Sequence, residues 1–214
     1  MSSTTEIQEP TSSKGTRTRE RILDAATRLF AIHGYEGASI RDIEQSAGVN
    51  RGLITYHFGN KDDLWKAMFA HTFVRHLDEL RGKATLLRSV DVRTRMRLII
   101  EMFIRAAAAK PFLNQLMFQE NYSKSWRTQW IIDHYHLPLR ELNATLGNDN
   151  AVVHRIESDP HLRYALLGAC SMPFSLPNEI DSLFGLDVMD NEFIEKHIDV
   201  VLSLYEGFLD PADS

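Results

Sequence analysis

Residues 39–58 read SIRDIEQSAGVNRGLITYHF, and this stretch decides the fold. Ser39, with Asp42 three positions on, is an N-cap pair that opens a short helix, and Ile40, Ile43 and Ala47 form its apolar face. Gly48 closes that helix after about two turns. Asn50 then stands where it caps a second short helix, running through His57 and burying Leu53, Ile54 and Phe58. Two short helices joined by a tight glycine turn, with a further helix packed across them, make a helix-turn-helix arrangement.

Such a unit reads double-stranded DNA when its second helix presents small or polar side chains to a major groove about 12 Å wide. Arg51, Gly52, Thr55 and Tyr56 supply that face. Arg51 is a fork suited to guanine or phosphate, Gly52 lets the backbone approach closely, and Thr55 meets a thymine methyl or a phosphate. His57 is a phosphate contact or a packing residue. Lys61, at the first turn of the next helix, is placed to grip a phosphate. With Ser39, Arg41 and Asn50 these residues form the candidate DNA-binding set.

Working outward, Ile22, Leu23, Ala26, Leu29 and Phe30 share one face of a helix from about Thr16 to His33 that Gly34 stops. Asn60 with Asp63 launches a long helix through Leu64, Ala67, Met68, Val74, Leu77 and Leu80. Further helices are expected at about 91–109, 112–121, 126–145 with an interruption near Pro138, 160–174 capped by Asp159, and 191–209, with 147–150 and 175–185 as connections. No run alternates with period two, so the fold class is all-α. Residues 1–14, rich in Ser, Thr and Glu, read as a disordered arm. The domain boundaries are set at 15–62 for the helix-turn-helix domain and 63–214 for the remainder.

The chain has 214 residues and a formal charge of -5, so bulk charge does not drive nucleic-acid binding. Residues 14–66 hold 9 Lys+Arg against 7 Asp+Glu, a local excess of +2. Cys170 is the single cysteine, which excludes an internal disulfide and fits a reducing compartment. No apolar run reaches the roughly 20 residues of a bilayer span, and the N-terminus lacks a signal-peptide core, so a cytoplasmic protein without membrane contact is expected.

The run ILDAATRLFAIHGYEGASIRDIEQSAGVNRGLITYHFGNKDDL, residues 22–64, resembles the DNA-binding domain of TetR-family transcriptional regulators. That family's pattern is an amphipathic first helix ending in a GY or GF turn, a TSI-like helix start, an AGVS turn, LYYHF and a SKEEL helix start. The resemblance implies a homodimer on palindromic operator DNA, with a helical C-terminal domain that binds a small-molecule effector and controls DNA binding. Two positions depart from the pattern. Thr55 stands where the family usually carries a phosphate-contacting Tyr, so that contact is lost or moves to Tyr56. Glu44 stands where Ala is favoured, and a carboxylate there is expected to point outward or to find Arg41 or Arg51.

For the C-terminal part, Ala165, Gly168, Ala169 and Met172 put small residues on one helical face, and Ile194, Ile198, Val201, Tyr205 and Phe208 give the last helix an apolar stripe. These read either as intrachain core or, with the resemblance, as a four-helix dimer interface. The large side chains Phe69, Phe73, Met102, Phe103, Phe112, Met117, Phe118, Tyr122, Trp126 and Trp130 read as core, some of them also as lining for an effector cavity. Arg105, His134, Asn114 and Gln115 are its candidate polar anchors.

No GxSxG, GxGxxG, Walker loop or HExxH is present, so no catalytic residue and no cofactor is assigned. His71 with His76, and His134 with His136, lack the i, i+4 spacing of a helical metal pair. Cys170 reads as a small apolar filler. The expected function is a ligand-responsive DNA-binding regulator, a repressor released by a small apolar molecule. A constitutive DNA-binding regulator, and a helical small-molecule module whose DNA-binding domain has decayed, are the alternatives.

Overall fold

The computed structural model describes residues 14–122, 124–146 and 151–209, excepting the side chains of 14, 76, 151, 152 and 206–209. The chain forms two compact units, Met1–His71 and Thr72–Ser214. Among the described residues there is no strand. The N-terminal arm, up to residue 13, and the connection at 147–150 lie outside the described residues.

The first unit contains α1 (Lys14–Gly37), α2 (Ile40–Ala47), α3 (Leu53–Phe58) and α4 (Lys61–Phe69). Gly34, at φ 69° and ψ 173°, leaves the helical region inside α1, so the chain turns there as a glycine stop requires. Ser39 Oγ accepts the Asp42 N–H at 3.1 Å, and Asn60 Oδ1 accepts the Asp63 N–H at 2.9 Å. Both caps stand where the side-chain pattern puts them. The core joins Ile22, Leu23 and Phe30 of α1 to Ile43, Ile54, Leu64, Trp65 and Met68, with the Trp65 and Phe69 rings stacked 5.3 Å apart. Because α4 buries this face against α1, the unit extends to His71 and not to the boundary at residue 62.

The second unit follows a π-helical stretch, Ala70–Val74, with α5 (Arg75–Gly82), α6 (Ala84–Ser89), α7 (Val92–Ala109), α8 (Pro111–Tyr122) and α9 (Trp126–Ile131). A second π-helical stretch, Ile132–His136, leads into α10 (Leu137–Leu146), then α11 (Ala151–Ser158), α12 (Pro160–Ser175), α13 (Pro177–Phe184) and α14 (Asn191–Leu209). The interruption expected near Pro138 is this π-helical stretch, since proline has no N–H for the regular ladder. Asp159 caps α12, accepting the His161 N–H at 2.8 Å with Pro160 in the first turn.

Residues 175–185 are not the expected connection. Pro177 opens α13 and Gly185, left-handed at φ 64°, ends it, the usual positions of these two residues around a helix. The apolar stripe on α14 also differs from its reading as a partner face. Ile194, Ile198, Val201 and Tyr205 are buried in this unit's own core with Ile100, Ile104 and Phe174. They turn inward because α14 packs along α7 and α12. Phe208's side chain lies outside the described residues. On α12, Ala165 and Met172 are exposed, and Gly168 and Ala169 are half-buried.

Candidate functional site

The candidate DNA-reading helix is α3, and its start is organised by Glu44. Asn50 does not cap it: its carbonyl accepts the Leu53 N–H at 3.2 Å, and the cap position is Gly52, with no capping side chain of its own. Glu44 Oε1 instead accepts the Gly52 N–H at 2.6 Å and lies 3.4 Å from the Ile54 N–H. The carboxylate is 6% exposed. It therefore neither points outward nor waits for Arg41 or Arg51, because the free amides and positive end of α3 replace the solvation it loses. Gly52 holds φ 88°, a left-handed conformation that turns its N–H toward Glu44 and costs glycine nothing.

The preceding turn is braced from α1. Arg21 Nη2 donates to the Ala47 carbonyl at 2.5 Å and the Gly48 carbonyl at 2.9 Å, taking two acceptors at the end of α2. Gly48 sits at φ 60°, and a Cβ there would come within 2.8 Å of Arg21 Nη2. The left-handed conformation favours glycine at this turn, and a larger residue would also displace the Arg21 clamp. The two short helices are thereby held by one buried anion and one clamping cation.

On this scaffold Arg41, Asn50, Arg51, Gly52 and Thr55 are exposed, and Tyr56 is 81% exposed. An aromatic side chain so open to water adds little to the core, which makes it a recognition candidate. His57 is half-buried and sits edge-on to Tyr56 at 5.1 Å. Lys61 lies with its Nζ 4.4 Å from the centre of the Tyr35 ring, and Tyr35 in turn hydrogen-bonds Asp62. Ser39 is exposed, but its hydroxyl also donates to Asp42 Oδ2 at 2.6 Å, so it serves the cap. At the start of α3 the Gly52 and Ile54 amides face Glu44 and the Leu53 amide is bonded to the Asn50 carbonyl, so the exposed groups here are side chains.

The second unit holds a cavity of about 120 Å³ that is partly open to solvent. Of the residues expected to line it, only Phe103 does. Phe69 belongs to the first unit's core, and Phe73 packs edge-on against Tyr135 at 5.2 Å. Tyr122 is 91% exposed, and Trp126 is exposed. Trp130 stacks on exposed His134 at 4.1 Å, and Arg105 is an exposed partner of Glu101 and Glu195. Met102 and Met117 are half-buried away from the lining. Large aromatic side chains here fill space or reach the surface, whereas the cavity opens between aliphatic ones such as Ile99, Leu139, Leu142 and Leu166.

Its polar lining, which the sequence reading missed, comprises Arg95, Tyr135, Asn143, Glu157, Arg163 and Cys170. Burial pushes the Cys170 thiol up to about 12 and the Tyr135 phenol likewise to about 12, so both are neutral at pH 7. Cys170 thus packs at the cavity wall as an inert thiol. Among the described residues no group of three or more His, Cys, Asp or Glu side chains is arranged to hold a metal, and no helix is long and apolar enough to cross a membrane.

Residues 22–68 match the family model described as bacterial regulatory proteins, tetR family. The chain is 49% identical over 55 residues to the HTH-type transcriptional repressor AcnR of Corynebacterium glutamicum, covering 26% of this chain and 29% of that one. It is 33% identical over 120 residues to AcnR of Corynebacterium jeikeium, covering 50% of this chain and 63% of the relative. The match thus spans less than two thirds of either relative's length. In fold, the chain is similar to the transcriptional regulator FadR from Bacillus subtilis, solved in complex with stearoyl-CoA, at a TM-score of 0.60 and 17% identity over 86% of this chain and 97% of that one. The braced helix-turn-helix and these matches agree on one stretch: residues 22–68 are similar to the DNA-binding domain that the tetR-family model describes.

Proposed function

We propose that the protein is a ligand-responsive transcriptional repressor that binds palindromic operator DNA as a homodimer and is released by a small, largely apolar effector. The observation that carries this reading is α3, a helix fixed at its start by Glu44 and bearing exposed Arg51, Thr55 and Tyr56. Arg51 reads a base edge or a phosphate, Thr55 and Tyr56 contact the groove wall, and Lys61 contributes a phosphate contact beside α4. The DNA-binding set otherwise narrows, since Ser39 caps α2 and Asn50 holds the turn before α3 through its carbonyl. A cytoplasmic location fits this activity, and no catalytic role or cofactor is assigned.

The cavity supports the effector half of the proposal and favours a responsive regulator over a constitutive one. A repressor dimer needs its two reading helices about 34 Å apart to meet successive half-sites. An effector that favours any other separation weakens binding. The dimer face is assigned to outward-facing apolar residues of α12 and α14, among them Met172, Val200 and Leu204, in place of the buried stripe. A decayed DNA-binding domain is disfavoured because Glu44, the residue that seemed out of place, is fully accommodated.

A mobility-shift titration of the DNA upstream of the protein's own gene, with and without candidate effectors, tests the reading. Sequence-specific binding that an effector weakens is expected. Binding no tighter than to unrelated duplex would overturn it, and specific binding indifferent to every cavity ligand would leave the constitutive reading in its place.

A further inference from the structure

We propose that the cavity takes an aliphatic carboxylate, its chain among the leucine and isoleucine side chains and its head on Arg163. This rests on the effector reading above and names the effector's chemistry. The walls favour a flexible aliphatic chain: Ile99, Leu139, Leu142, Ile156 and Leu166 line them, and the only rings in the lining are Phe103 and Tyr135. A planar aromatic ligand would find little ring face on which to stack.

The head is decided by charge. Glu157 accepts from Arg163 Nη1 at 2.5 Å and from Asn143 Nδ2 at 2.7 Å, and Arg140 Nε lies 3.6 Å from it. Two guanidinium groups thus share one carboxylate, leaving one surplus positive charge at the cavity's polar end. The Glu157 and Arg163 side chains are both largely buried, so Arg163 acts on the cavity with little screening, while Arg140, 53% exposed, is shared with water and offsets the Glu157 charge from outside. Arg163 donates one hydrogen bond to Glu157, and its fork of five N–H groups has donors left for a second anion. Glu157 keeps Asn143 and Arg140 when Arg163 turns to a ligand, so no buried charge is stranded. A cationic head would instead compete with two arginines for Glu157. Arg95 takes no part, as it donates to the Leu87 carbonyl at 2.7 Å, the Val90 carbonyl at 3.2 Å and the Leu146 carbonyl, joining helix ends.

The test titrates the full-length protein calorimetrically with dodecanoate, dodecanol and dodecyltrimethylammonium, three ligands of one chain and three head charges. Dodecanoate is expected to bind about tenfold tighter than dodecanol, the size of one charge-assisted hydrogen bond, with the ammonium weakest. Arg163→Gln should erase the carboxylate's advantage and leave dodecanol affinity unchanged, and Glu157→Gln should enlarge that advantage. If Arg163→Gln does not fold, the direction of change in Glu157→Gln decides. Tightest binding of the ammonium, binding of none of the three, or an advantage that survives Arg163→Gln would overturn the proposal. Operator binding measured in parallel separates the two ideas. Dodecanoate that binds through Arg163 without affecting the operator upholds this inference against the effector reading, and release by dodecanol or the ammonium alone does the reverse.

Discussion

The two units put function in opposite places. In Met1–His71 the candidate residues stand outside on a scaffold whose every turn is held by a named contact: Ser39 to Asp42, Arg21 to Ala47 and Gly48, Glu44 to Gly52, Asn60 to Asp63. In Thr72–Ser214 the candidate residues surround an interior space, and helices as distant in sequence as α5 and α12 supply its walls. A surface reader needs rigidity beneath it, so its scaffold is local and strongly capped. A cavity needs side chains that fall short of one another, so it arises from long-range packing that no short motif encodes.

The largest effect should come from inverting the inside and outside of the second unit. Val201 is 1% exposed in its core, and Val201→Asp should cost about 4 kcal/mol or more by placing a carboxylate in apolar surroundings. Leu204, on the same helix but 61% exposed, should tolerate Leu204→Asp within about 0.5 kcal/mol while losing the dimer. Denaturant melts and sedimentation of both variants check this. A Val201→Asp protein of unchanged stability would place α14 the other way round.

Next in size is the brace of α3. Glu44→Ala leaves the part-buried Gly52 amide and the buried Ile54 amide without their acceptor and should cost about 1–3 kcal/mol, with Glu44→Gln costing less because it keeps an acceptor. Thermal melts of the two variants and their operator affinities should move together. An Ala variant as stable as the parent would show that water serves the amides equally well.

The contrast sharpens in two DNA variants. Arg51→Ala should lose about 1–3 kcal/mol and relax the preference at one position of each half-site, if Arg51 reads a base. Lys61→Ala should weaken all sequences alike and lower the salt slope by about one. Affinity measured against salt on matched and mismatched duplexes distinguishes them, and a uniform loss in Arg51→Ala would reassign Arg51 to phosphate.

The smallest effect is a pH dependence of the second unit. Burial holds the His197 imidazole below its ordinary value of 6.5, partly offset by its hydrogen bond to the Ala169 carbonyl at 2.9 Å. Burial, reinforced by Arg163, lowers His136 as well. The unfolded chain therefore takes up protons first, and stability present above about pH 6.5 is lost as pH falls toward the folded-state values. Melting temperature should drop from about pH 7.5 to about 5.5, and His197→Gln should flatten the slope. An unchanged slope would mean that His197 opens to water before it titrates.

Legibility followed the same division. The helix-turn-helix could be read because its signals are local: glycines at 48 and 34, caps at 39 and 60, and apolar spacing between them. Glu44 was misjudged because its partners are amides, which a sequence does not display. The α13 helix carried its proline start and glycine stop in plain view, yet its Pro, Asn and Ser content reads as a connection. Cavity residues were out of reach for a different reason. Tyr122 and Leu142 look equally suited to an apolar wall, and only packing puts one in water and the other beside the cavity.

The bond between Glu44 and Gly52 also limits how the reading helix can be moved between proteins. A recognition segment transplanted onto a host with alanine at the equivalent of position 44 would arrive without the acceptor that orders its first turn. A host carrying the glutamate, given a segment that lacks the glycine, would have to strain another residue to φ 88° to keep that N–H on the buried carboxylate. Exchange of DNA specificity by grafting therefore has a minimum unit here, residues 44–58 taken whole, and shorter swaps carry a folding defect that an affinity assay would mistake for altered base preference.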